Sequence, residues 1–424
     1  MSKPPMTAAE EWRQGWTLAL ACLTGFGFFS VLLAATGVFI QPLTDEFGWS
    51  RSLLSSGPAI ATGVTALLGP FYGALIDRYG SRRLALPGTI LTALAVSVFG
   101  LANGSSTQWI LFWVLFGLAS TTIKSTIWTA AVAGTFFKGR GLAIGITVSG
   151  TALAQAVVPP LANTLIGAFG WRASFVWIAV GWGSISFLLS WLFLYDIHDR
   201  AAGRDRKGKA SGEKAAPSGR VSLAGLSVGE AWRNSALWRV GIASFVVMLL
   251  TIGLGIHLFP ILTEAGVTRS TAAWLTSLGG VAGIVGKLVT GVLLDRFRPN
   301  WVGGLTMGVT ALTFGILIFA MNSLPLIVMA IIVNGYAAGT KTQIYSYLTA
   351  GYAGLKNFGK IYGMLSAMVA LAAGLGPMVA GVIYDVAGGY GPFLAAGVLG
   401  CLLGGALLIT LPAYPKWEQE PARA

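Results

Sequence analysis

The sequence predicts an all-α membrane protein of twelve transmembrane helices, arranged as two pseudo-symmetric six-helix bundles. Three observations predict it. Apolar runs of about 20 residues recur along almost the whole chain, each long enough to cross about 30 Å of hydrocarbon. Basic residues gather on alternate connecting segments, and the second half of the chain repeats the first at a fixed offset. Composition agrees: of 424 residues, 55% are hydrophobic and only 10% charged, outside the range of soluble domains. Period-2 alternation is absent, which argues against a barrel.

In chain order the runs cover roughly 16–40, 53–75, 84–102, 109–132, 141–166 and 173–195, then 237–262, 272–294, 302–321, 325–348, 359–384 and 392–412. The first is too long for a signal-peptide core and lacks a small-residue cleavage site, so it reads as a retained helix. The 58 glycines suit close helix packing in lipid, where small residues let backbones approach. Cys22 and Cys401 fall within spans and read as free thiols.

The net charge of +13 is a matter of topology. With the N-terminus inside, 22 of the 28 Lys and Arg lie on cytoplasmic segments, and only Arg51, Arg172 and Arg269 fall outside. That asymmetry places both termini in the cytoplasm and argues against a nucleic-acid footprint. The remaining three cations, Lys124, Lys287 and Lys341, lie inside spans.

One long polar stretch, 196–235, reads as a cytoplasmic linker with a short amphipathic helix near 227–235. It sets the expected domains: 1–195 and 236–412 as the two bundles, and 413–424 as a cytoplasmic tail. The halves are copies at an offset of 218. Pro42, Glu46, Gly48, Arg51 and Ser52 match Pro260, Glu264, Gly266, Arg269 and Ser270. Gly73, Leu75, Asp77 and Arg78 match Gly291, Leu293, Asp295 and Arg296, and Gly145 and Pro159 match Gly363 and Pro377. A shift of one residue then superposes Lys124 and Trp128 on Lys341 and Tyr345. Parallel repeats of this kind are a transporter architecture, with the site near the midplane.

Gly73, Leu75, Asp77, Arg78, Gly80, Arg82 and Arg83 resemble the signature loop after the second helix of the major facilitator superfamily. Within it, Glu46 to Arg51, His257 to Pro260, Gly286 with Lys287, and Phe358 to Gly363 are similar to the monocarboxylate porter and oxalate–formate exchanger family. The resemblance implies that spans 1, 4, 7 and 10 line the cavity, which puts Lys124 and Lys341 on opposing halves. It also implies a substrate-contacting cation in span 8, usually arginine, at the position of Lys287. Some members carry an acid four residues earlier, where this chain has Gly283.

A charge inside a span costs several kcal/mol and marks a function. The three lysines lie 15–17 residues from the starts of their spans, about 23–26 Å in, and so at similar depth. Two of them about 8 Å apart would repel by roughly 2 kcal/mol at an effective dielectric near 20, which a carboxylate contacting both would offset. Lys287 reads equally as a lysine whose stem reaches the cytoplasmic headgroups. Trp128 and Tyr345 follow their lysines by one turn, as candidate stacking partners for an acid or as bundle core. Asn334, Tyr336 and Gln155 are further candidate contacts. His257, the histidine within a span, reads as the proton-coupling residue or as a hydrogen-bonded structural one. The resemblance makes Asp77, Arg78, Asp295 and Arg296 gating residues.

No nucleotide loop, metal-ligand cluster or nucleophile–base set is legible, so neither a cofactor nor enzymatic chemistry is expected. The reading is a secondary transporter of small organic carboxylates by alternating access, as a proton symporter or an anion exchanger. It would act as a monomer in a bacterial inner membrane. A multidrug proton antiporter and a non-transporting receptor are the other classes. Against the first stand the cationic spans and a stretch from Gly145 to Pro160 without a Gly-Pro-x-x-Gly-Gly pattern.

Overall fold

The computed structural model describes residues 8–133, 135–136, 140–194, 225–354 and 356–415. The first half is built from α1 (Ala8–Phe47), α2 (Arg51–Tyr79), α3 (Ser81–Ser97) with a 3₁₀ turn at Val98–Leu101, α4 (Ser106–Thr121), α5 (Ser125–Ala133), α6 (Arg140–Val148) and α7 (Gly150–Phe193). The second half has a short helix, α8 (Val228–Arg233), and then α9 (Ser235–Glu264), α10 (Arg269–Arg296), α11 (Pro299–Val309), α12 (Ala311–Phe319), α13 (Leu324–Ala353), α14 (Phe358–Ala387) and α15 (Gly391–Ile409). Every apolar run of the sequence falls on one of these helices or on a pair in line. Among the described residues ten stretches are long and apolar enough to cross a membrane. The 52-residue stretch Leu142–Phe193 holds two spans, because Gly170 at φ 75° breaks it.

The described chain divides into two compact units. The first takes in residues up to 194 together with Gly266–Gly280, and the second takes in 225–265 and 281–415. Helix α10 is therefore shared: its first turns pack with the N-terminal helices.

In the first unit α1 and α7 touch backbone to backbone. A Cβ on Gly150 would lie 2.2 Å from the Leu23 carbonyl oxygen and 2.8 Å from Gly27 N. The second unit repeats this contact between α9 and α14, where a Cβ on Gly376 would lie 2.2 Å from Leu249 O and 3.1 Å from Gly253 N. Both glycine pairs are separated by 226 positions, eight more than the duplication offset. The crossing therefore sits about 12 Å further along both helices in the second unit. The repeats share a sequence register but cross at different heights.

A clasp closes one end of the first unit. Glu46, at the end of α1, accepts from Trp171 Nε1 at 2.6 Å and from Arg172 at 2.5 and 3.1 Å, just past the Gly170 break. The Arg172 guanidinium also lies 4.2 Å over the Trp171 ring. Within the same unit Arg269 of α10 donates to Gln41 Oε1 at 2.9 Å, and Ser277 donates to the Ala156 carbonyl.

In the second unit the end of the linker is pinned down. Leu226 N donates to Ala353 O at 2.8 Å and Asn357 Nδ2 to Leu226 O at 2.9 Å. Ser227 and Glu230 form a capping box that starts α8, where the amphipathic helix was expected. Hydrogen bonds from Ser227 hold the Glu230 carboxyl below its ordinary value.

Candidate functional site

Lys124 sits in a break between α4 and α5. Thr122 and Ile123 bond three residues back, to Ala119 O and Ser120 O at 3.1 Å each, which tightens the turn. Ile127 N likewise reaches Lys124 O at 3.1 Å, so the Ile123 carbonyl loses its regular helical partner. Trp128 Nε1 takes that carbonyl at 2.8 Å. The Trp128 ring is 0% exposed and fills the space over Gly25 of α1, where a Cβ would come within 2.2 Å of it. Trp128 is thus no ring presented to a ligand; it holds the turn that carries Lys124. The lysine itself is half-buried. Gln155, on α7, is exposed, and Gly280 of α10 packs on the backbone beside it.

Lys341 has a different setting. Helix α13 runs unbroken through it, and the side chain is 2% exposed. Its amine touches Thr251 Oγ1 of α9, and that hydroxyl donates to Val247 O at 2.5 Å. Toward the lysine, Thr251 is therefore an acceptor only. At the strict offset of 218 the position equivalent to Lys341 is Ile123, which is also fully buried. The single-residue shift that pairs the lysines rotates the side chain by about 100°, and the two environments differ accordingly.

Asn334 lies two turns before Lys341 on the same face of α13. It is 7% exposed, and its Oδ1 accepts no hydrogen bond among the described residues. Lys287, half-buried on α10, follows a close helix crossing. A Cβ on Gly339 would lie 2.1 Å from Gly283 O, and one on Gly286 would lie 2.5 Å from Tyr336 O. Tyr336 spends its hydroxyl on Thr290 at 2.9 Å. Gly339 and Gly286 thus let α10 and α13 meet, whereas a Cβ on Gly283, where an acid was a family option, would lie 3.2 Å from Gly335 O.

Tyr345 is 5% exposed and stacks on Tyr362 of α14, with ring centroids 5.3 Å apart at 8°. Its hydroxyl bonds to Tyr362 at 2.8 Å and Ser366 at 3.2 Å, and Tyr362 bonds on to Ser346 at 3.0 Å. The ring is engaged inside the unit, with no open face for a ligand to stack on.

His257 is fully buried in the second unit. Its Nε2 donates to Pro377 O at 3.0 Å, and in the neutral ring its Nδ1 accepts from Tyr390 OH at 2.7 Å. Both ring nitrogens are committed to holding α9 against α14 and the start of α15. That geometry matches the structural alternative for this residue and gives no support to the proton-carrier reading. Arg78 and Arg296 are exposed at their helix ends, whereas the side chains of Asp77 and Asp295 lie outside the described residues. Among the described residues no cluster of His, Cys, Asp or Glu could hold a metal.

Sequence reasoning missed Thr251, Tyr362, Ser366 and Tyr390. A lone Thr or Tyr in an apolar run carries no signal until its partner helix is placed. Tyr362 had one, because it lies inside the stretch from Phe358 to Gly363 that carries the family resemblance.

The model of the Major Facilitator Superfamily matches residues 17–263 and 240–424, nearly the whole described chain. The chain belongs to that superfamily. Monocarboxylate transporter 13 of Bos taurus is 25% identical over 412 residues, covering 94% of this chain and 90% of its own length. An MFS-type transporter of Gibberella moniliformis is 27% identical over 402 residues, covering 90% and 88%. Among solved structures, a bacterial homolog to the human lysosomal transporter Spinster superposes with a TM-score of 0.65 at 18% identity, covering 93% of each chain. This superfamily member is an integral multi-pass membrane transporter and not an enzyme.

Proposed function

We propose that this superfamily member carries small organic carboxylates by alternating access, taking up a proton with its substrate. Lys124, Lys287 and Lys341 supply the positive charge, and Gln155 and Asn334 supply polar contacts. Trp128 and Tyr345 hold the two lysine-bearing helices in place. Asp77, Arg78, Asp295 and Arg296 act in gating. The transporter works as a monomer in a bacterial inner membrane with both termini cytoplasmic, as the distribution of basic residues implies.

The observation that carries the reading is Lys341. A lysine 2% exposed in a 30-residue apolar helix meets a neutral hydroxyl, and no carboxylate lies within salt-bridge distance of it among the described residues. Such a burial costs several kcal/mol and is kept where the charge has a task. The relatives named monocarboxylate transporters support the anion class. One observation favours a second reading, anion exchange: His257, the expected proton carrier, is fully buried and pinned between Pro377 O and Tyr390 OH. Proteoliposome uptake separates the two. Symport predicts carboxylate accumulation driven by an inwardly directed proton gradient; exchange predicts that only preloaded carboxylate drives it.

A further inference from the structure

The second unit contains a cleft of about 460 Å³ between the later turns of α10 and α13. Gly291 and Leu294 form one wall, and Thr342, Gln343, Ser346 and Tyr347 form the other. A Cβ on Gly291 would meet nothing within 4 Å, so the cleft reaches the backbone of α10. Gln343 is exposed, and its amide offers two donors. Ser346 is fixed in orientation: it donates to Thr342 O at 2.6 Å and is tied through Tyr362 to Tyr345 and Ser366. Lys287 lies four residues before Gly291 on the same helix face, which sets a cation one turn deeper than the cleft wall. The Tyr347 ring is 42% exposed along the rim.

We infer that this cleft is a binding subsite for an aryl carboxylate. The inference rests on the carboxylate reading and adds the size class of the acid. Two arguments set that class. Ligand pockets of about 300–1,000 Å³ suit molecules well above two or three carbons. The lining also divides along the helices into a polar end, at Thr342 and Gln343, and an end where Leu294 and Tyr347 face each other. The acid's carboxylate faces Lys287 and the Gln343 amide; its ring lies along Tyr347 and Leu294. An acid without a ring fills only the polar end and leaves the other end bare.

Equilibrium binding to the purified full-length protein tests this, with radiolabelled phenylacetate and lactate as probes. Wild type is expected to bind phenylacetate at least tenfold more tightly than lactate. Gly291→Leu, which places a side chain in the open cleft, is expected to lower that ratio at least tenfold. Gln343→Leu, on the opposite wall, gives a second readout should the first variant fold poorly, and it is expected to weaken phenylacetate binding. An unchanged ratio in a folded Gly291→Leu protein, or wild-type preference for lactate, overturns the subsite while leaving carboxylate transport standing. Binding of neither acid overturns the carboxylate reading and the subsite with it.

Discussion

Replacing Thr251 by Val removes the hydroxyl that Lys341 touches while keeping the volume of the side chain. Because Thr251 gives its own proton to Val247 O at 2.5 Å, it serves the lysine purely as acceptor. The variant leaves a donor buried without its partner, which costs about 1–3 kcal/mol. Loss of the bond to Val247 O adds little, since that carbonyl keeps its helical N–H. The effect corresponds to roughly a 5- to 150-fold change in the unfolding equilibrium. Unfolding of purified protein in mixed micelles, titrated with SDS, measures it. The same substitution is then made in a Lys341→Met background, where an unbranched apolar chain takes the lysine's place. There Thr251→Val is expected to cost under about 0.5 kcal/mol, the tolerance for independent sites. Equal costs in the two backgrounds would refute the contact and the assignment of Thr251 as the lysine's partner.

Three further outcomes follow from the same geometry. Gly25→Ala drives a methyl group into the Trp128 ring, and overpacking of about 1–3 kcal/mol should lower the melting temperature and distort the Lys124 turn; a melt and uptake rate equal to wild type would contradict the packing. Tyr390→Phe removes the donor to His257 Nδ1 and should cost about 0.5–1.5 kcal/mol of stability while leaving the pH profile of uptake in place; a shifted profile with an unchanged melt would restore His257 as the proton carrier. The Glu230 carboxyl, held below its ordinary value by Ser227, stabilises the start of α8 at pH values above the usual carboxylate range. That contribution should vanish as pH falls through the lowered value, read as faster hydrogen exchange in residues 226–234; exchange independent of pH after correction for intrinsic rates would count against the cap.

The fold was legible because apolar run length is a local property, and lipid leaves few alternatives to a helix. The Gly170 break could be placed between runs 141–166 and 173–195 for the same reason. The charge-bearing residues were legible too, since Lys in an apolar run stands out by composition alone. Their environments were not. The turn at Lys124 depends on Trp128 reaching back to Ile123 and packing on Gly25, a contact over a hundred residues away. The pairing of Lys124 with Lys341 required a one-residue shift in the repeat, and that shift separates a half-buried side chain from a nearly inaccessible one. His257 drew notice as a titratable group, yet its two partners lie on α14 and just before α15, 120 and 133 positions away.

The central claim is that buried positive charge on these helices selects an organic carboxylate. Counterflow in proteoliposomes tests it most directly, with radiolabelled carboxylate outside and unlabelled acid preloaded, for wild type and for Lys341→Gln. The account predicts rapid accumulation by wild type and loss of accumulation by a Lys341→Gln protein that still elutes as a folded species. Wild-type counterflow matched by the variant, or counterflow with organic cations in place of carboxylates, would contradict it.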